Sequence, residues 1–143
     1  MRVLVVDDNE DIRVLMTYAL RVGGHEIVPA ADGHEALEKM GSEDLDAVIL
    51  DVQMPDMAGW AVLETIRRTP QLRELPVVMC TVKGRPEDLE HGWELGCDGY
   101  ISKPFDVTDL LTQVESVVGR PQQQRAAVRE AGLRAARQVS DHA

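Results

Sequence analysis

Five side chains able to do polar chemistry stand at equivalent points of this 143-residue sequence, each close behind a short apolar run. Asp7 and Asp8 follow residues 3–6, Asp51 follows 47–50, Thr81 follows 77–80 and Lys103 follows 99–102. Three carboxylates brought together repel one another, and they stay ionised only with a counter-charge nearby. A hard divalent cation with oxygen ligands meets that need. Mg²⁺ suits a site of one or two carboxylates completed by a phosphoryl oxygen. The Lys103 ammonium would add a second positive charge, and the Thr81 hydroxyl could donate to a phosphoryl oxygen. Such a set stabilises charge on the equatorial oxygens while a carboxylate attacks phosphorus in line, which is most of what phosphoryl transfer requires.

The elements that must position these groups show in the apolar pattern. The continuous apolar run at 3–6 predicts a strand buried on both faces, and 26–30, 47–50, 77–80 and 99–102 read as further strands. Helical spacing alternates with them at 11–22, 33–40, 59–68, 86–95 and 107–118, with Asp106 as the N-cap of the last and Gly119 and Pro121 as its stop. Strand–helix alternation implies right-handed crossovers and a parallel sheet covered on both sides, an α/β doubly wound fold. In such sheets ligands bind at the carboxyl ends of the strands. Only the second strand contributes no reactive group. A strand order of 2-1-3-4-5 explains this, because it sets strand 2 at the edge, outside strands 1, 3, 4 and 5. With neighbours about 4.8 Å apart, Asp7, Asp8 and Thr81 flank Asp51, and Lys103 stands roughly 9.6 Å of backbone away. A long ammonium side chain can cover that distance.

These same residues carry a family resemblance. Val5-Val6-Asp7-Asp8-Asn9, then Leu50-Asp51-Val52-Gln53-Met54-Pro55-Asp56, the Thr81 that ends a hydrophobic strand, and Tyr100-Ile101-Ser102-Lys103-Pro104-Phe105 together resemble the response-regulator receiver domain of two-component signalling. The resemblance covers residues 1–119 and implies a flavodoxin-like, chemotaxis-regulator-like fold. It implies that Asp51 accepts a phosphoryl group from a phosphohistidine on a sensor histidine kinase or phosphotransfer protein. Asp8, Asp51 and the backbone carbonyl of Gln53 would ligate Mg²⁺, with Asp7 acting through water. Lys103 and Pro104 would be joined by a cis peptide. Thr81 and Tyr100 would form the coupled switch, repacking the face of the fourth helix, fifth strand and fifth helix for a protein partner or for homodimerisation. Two positions depart from the family pattern. Val82 stands where a small residue is usual, and Lys83 brings positive charge near the pocket mouth; with Gln53 they would tune access.

The bulk numbers narrow the function classes. A hydrophobic fraction of 44% supports a real core, and 3% aromatics make that core aliphatic. The net charge of -10 speaks against a nucleic-acid surface over most of the chain. No apolar stretch approaches the ~20 residues of a membrane span, and no signal peptide precedes the first strand, so a cytoplasmic protein is expected. Cys80 and Cys97 fit no zinc or redox spacing and are expected to be reduced thiols, and His25, His34, His91 and His142 show no metal spacing. Residues 120–143 differ in kind, with five arginines against Glu130 and Asp141. They are expected to form a basic C-terminal tail, partly helical or disordered, with little burial and a faint stripe through Val128, Ala135 and Val139; the alternative is an amphipathic helix that docks on a partner. An Mg²⁺-dependent aspartyl-phosphate hydrolase is the enzyme alternative, but Gln53 stands where its acid/base Asp belongs. The receiver fragment of a larger regulator is the other alternative, leaving the output and the downstream partner open.

Overall fold

The computed structural model describes residues 1–82 and 86–142. Five parallel strands, β1 (Arg2–Val6), β2 (Glu26–Ala30), β3 (Ala47–Asp51), β4 (Val77–Val82) and β5 (Gly99–Lys103), form one sheet in the order β2-β1-β3-β4-β5. Helices α1 (Glu10–Val22), α2 (Gly33–Ser42), α3 (Gly59–Arg68), α4 (Pro86–Leu95) and α5 (Val107–Gly119) alternate with them, and α6 (Gln122–His142) follows. The expected flavodoxin-like α/β fold and strand order are both found.

Alternation along the strands divides the core in two. Val3, Val5, Ile49, Val78 and Ile101 turn to one face, where Met16, Ala19 and Leu20 of α1 and Leu110, Val114 and Val117 of α5 meet them. Leu4, Val6, Leu50, Val77 and Met79 turn to the other, against Ala36 and Met40 of α2 and Val62, Leu63 and Ile66 of α3. Both faces are covered, so the inner strands β1, β3 and β4 read as largely unbroken apolar runs. Side-chain caps fix where the helices begin: Asn9 accepts from Ile12 N, Asp32 from Glu35 N and Asp106 from Thr108 N.

Residues 122–139 are more buried than expected. α6 is 21 residues long and packs along α4, and Arg125 and Ala136 on it are buried. The inward stripe is Arg125, Arg129, Gly132 and Ala136, while Ala135 and Val139 of the expected stripe face outward. The pattern was misleading because this face is held by charge and by a close approach rather than by apolar side chains. Arg125 and Arg129 converge on Asp98, which is 1% exposed between α4 and β5, and Arg67 of α3 reaches the same carboxylate. At Gly132 the helix passes so close to Trp93 that an added Cβ would run into the indole.

Candidate functional site

The register of the sheet assembles the site. Val6 lies beside Leu50, which brings the residues that follow, Asp7 and Asp51, to adjacent strand ends. Asp51 pairs with Cys80, so Thr81 sits one residue further along β4, and Val82 pairs with Lys103. Carboxylate oxygens of Asp7, Asp8 and Asp51 lie within 4.8 Å of one another. Asp7 and Asp51 are buried and Asp8 is exposed, which leaves the cluster open on one side. Asp8, Asp51, Gln53, Thr81, Val82 and Lys103 line the same cleft.

Lys103 spans the two-strand gap. Its Nζ is 2.9 Å from Asp7 Oδ2 and 3.3 Å from Asp51 Oδ2. Burial alone would lower the lysine pKa, yet the close approach of the Asp7 carboxylate and the negative charge of Asp51 outweigh it and hold the ammonium above its ordinary range. Asp51 is raised as well, which for a carboxyl favours the neutral form. Burial, and then the charge of Asp7, push it up to about 6 against the opposing pull of Lys103 and the Gln53 N–H. One ammonium therefore does not neutralise this pocket.

The surrounding chain holds these groups in place. Asp7 Oδ1 accepts from Asn9 N at 2.9 Å, and the Asp7 carbonyl accepts from Arg13 Nη1 at 2.7 Å. Asp51 Oδ1 accepts from Gln53 N at 3.3 Å. Gly59 packs against the Asp51 backbone so closely that any Cβ would strike the Asp51 carbonyl, and its N–H donates to Val52 at 2.9 Å. That contact closes the loop carrying Gln53, a role that the helical spacing at 59–68 does not show. Asp56 lies outside the cleft and accepts from Gly33 N and His34 N at the start of α2.

The donor set also fits a divalent cation. Three carboxylates meet at an open cleft, and Asp7 Oδ2 is buried with the Lys103 ammonium beside it but without an aligned hydrogen bond. Oxygen-rich, net-negative and partly open to solvent is what a hard cation takes.

The remaining site residues fall around this centre. The Lys103–Pro104 peptide is cis. Thr81 is buried, whereas Val82 is 50% exposed at the cleft. Lys83 lies outside the described residues. Tyr100 donates from its hydroxyl to the carbonyls of Asp88 at 2.6 Å and Leu89 at 3.1 Å, so its phenol is tied to α4. Trp93 is half-buried and meets Tyr100 edge-on, with centroids 5.6 Å apart. Trp60 packs on the sheet and meets His91 edge-on at 4.8 Å.

Fold and site together define a phosphoacceptor signalling module: an open parallel sheet with an acidic pocket at its switch point, crossed by one lysine. Residues 3–115 match the family model of the response regulator receiver domain, and the chain belongs to that family. It is 37% identical over 119 residues to the alkaline phosphatase synthesis transcriptional regulatory protein PhoP of Bacillus subtilis, covering 83% of this chain and 49% of that protein. It is 34% identical over the same length to the phosphate regulon transcriptional regulatory protein PhoB of Escherichia coli, covering 83% and 52%. The chain thus spans about half the length of these curated relatives. Among solved structures it resembles a putative response regulator from Chloroflexus aurantiacus, with a TM-score of 0.81 and 32% identity over 83% of this chain and 98% of that one. The chemotaxis response regulator CheY4 of Vibrio cholerae gives a TM-score of 0.77 and 36% identity over 81% and 97%. No helix among the described residues is long and apolar enough to cross a membrane.

Proposed function

We propose that Asp51 is the phosphoacceptor of this receiver and that its donor is a phosphohistidine on a sensor histidine kinase or phosphotransfer protein of the cytoplasm. The observation that carries the assignment is that Asp51 ends β3, between the strands that deliver the other carboxylates and Lys103, and lines the cleft within reach of both. An Asp51 oxygen attacks phosphorus, the phosphorus–nitrogen bond breaks, and its electron pair returns to the imidazole. Mg²⁺, when bound, would neutralise charge on the phosphoryl oxygens. Asp8, Asp51 and the Gln53 carbonyl would hold it, with Asp7 acting through water. Lys103 pairs with the carboxylates before transfer and turns to the phosphoryl group after it. Thr81 donates its hydroxyl to that group, and Tyr100 responds by repacking against α4. Residues 1–119 are the switching unit. The output remains a protein contact, made by this chain alone or within a longer regulator.

Intact-mass spectrometry after incubation with acetyl phosphate and Mg²⁺ tests the assignment. Wild type should gain one phosphoryl group and Asp51→Asn none. An undiminished adduct in the variant would overturn the choice of Asp51.

A further inference from the structure

We propose that α6 is an intramolecular occupant of the receiver's α4 face and that phosphorylation at Asp51 loosens its C-terminal half. The proposal rests on the reading of Asp51 as the acceptor.

The two halves of α6 are held by different things. The N-terminal half is fixed to the frame of the domain. Arg125 and Arg129 donate to Asp98, whose carboxylate is itself fixed by Val77 N at 2.9 Å and by Arg67 of α3. Arg125 also donates to the Glu74 carbonyl at 2.8 Å. Asp98 precedes β5 and Val77 begins β4, so this anchor sits at the end of the sheet away from the acidic pocket. The C-terminal half rides on α4 itself. Gly132 seats the indole of Trp93, and Arg137 pairs with Glu90 and Glu94 at 3.3 and 3.2 Å on a guanidinium side chain that is 53% exposed. Exposed pairs of this kind are weak and screened by salt.

A continuous set of contacts joins that half to the pocket. Trp93 meets Tyr100 edge-on, and the Tyr100 hydroxyl is bonded to the Asp88 and Leu89 carbonyls of α4. Asp88 lines the same cleft as Asp51, Thr81 and Lys103. Repacking of Tyr100 therefore moves the surface on which residues 132–139 lie while the Asp98 anchor stays put. The helix cannot follow at both ends, and the weaker end gives. Linkage makes the effect reciprocal: whatever loosens this end favours the phosphorylated form by the same factor.

Hydrogen exchange on the full chain tests this, with and without beryllofluoride and Mg²⁺ as the acyl-phosphate mimic, and with bound fluoride followed by ¹⁹F NMR. Amides of 132–139 should exchange about tenfold faster with the mimic bound while those of 125–129 keep their protection. Gly132→Ala, which drives a methyl into Trp93, should show the fast exchange without the mimic and should bind beryllofluoride more tightly by a similar factor. A merely structural glycine would not tighten that binding. Bound fluoride with unchanged or slower exchange at 132–139 overturns the role of α6 while leaving Asp51 as acceptor. Absence of bound fluoride overturns both.

Discussion

Replacing Asp98 by Asn should be the most damaging single conservative change among the described residues outside the hydrophobic core. Its Oδ1 accepts from Arg125 Nε at 3.0 Å and from Arg129 Nε and Nη2 at 3.0 and 2.7 Å. Its Oδ2 accepts from Val77 N at 2.9 Å, Arg67 Nη2 at 2.9 Å and Arg125 Nη2 at 3.1 Å. Whichever oxygen becomes the amide NH₂, three donors are left facing a donor. At roughly 1.5–3 kcal/mol for each hydrogen bond to a charged group, a plain sum reaches about 5–9 kcal/mol. Arg129 and Arg67 are 24% and 14% exposed and can recover some hydration, so the loss should fall to about 3–5 kcal/mol, as for other broken buried ion pairs. With a urea slope of about 1.5 kcal/mol/M, the unfolding midpoint should drop by roughly 2–3 M. The pH dependence gives a second check. Burial raises the Asp98 pKa, but hydrogen bonds from Arg125 and Val77 and the charges of Arg129 and Arg67 outweigh it, leaving the carboxyl below its ordinary range. A carboxyl lowered on folding stabilises above its unfolded pKa of 3.8 and loses that contribution as pH falls through the folded value. The gap between wild type and variant should therefore be complete at neutral pH and close in acid. A gap under about 1 kcal/mol at neutral pH, or one that persists unchanged in acid, would refute the reasoning.

Three further outcomes are expected. Asp51 has a raised folded pKa, so its contribution is complete below the unfolded value of 3.8 and is lost as pH rises through about 6. Urea melts without divalent cation should show that loss in wild type and not in Asp51→Asn, and Mg²⁺ should restore the wild type at neutral pH. Gly92→Ala places a methyl against the Tyr100 hydroxyl, and should cost about 1–3 kcal/mol while shifting the near-ultraviolet circular dichroism of Tyr100 and Trp93; an unchanged spectrum would show that the ring has room to spare. Val82 is 50% exposed at the cleft, so Val82→Ala should speed loading by acetyl phosphate and shorten the adduct's lifetime, with the melting temperature little changed. Unchanged rates would mean that bulk there does not limit access.

Much of this protein was legible in one dimension because its fold repeats a single local rule. A strand buried on both faces must be apolar throughout, so residues 3–6, 47–50 and 77–80 announced themselves. A parallel sheet delivers every strand end to one side, so Asp7, Asp51 and Lys103 had to meet once the strand order was known. What the linear pattern could not give was any contact made by polar or absent side chains. Asp98 does not stand out in the sequence, because nothing local marks a carboxylate that three arginines from 27 to 31 residues away will enclose. Nothing local marks Gly59 or Gly92, although the first lets α3 close on the Asp51 backbone and the second leaves room for the Tyr100 hydroxyl. Hydropathy likewise misplaced much of the buried face of α6, since Val128 is half-buried but Ala135 and Val139 are exposed. Burial there is stabilised by paired charge and by the room that Gly132 leaves for Trp93, and neither has a period in the sequence. Local pattern fixes an element when burial is apolar; ion-pair enclosure and close backbone approach depend on partners distant in the chain, and only the tertiary structure selects those.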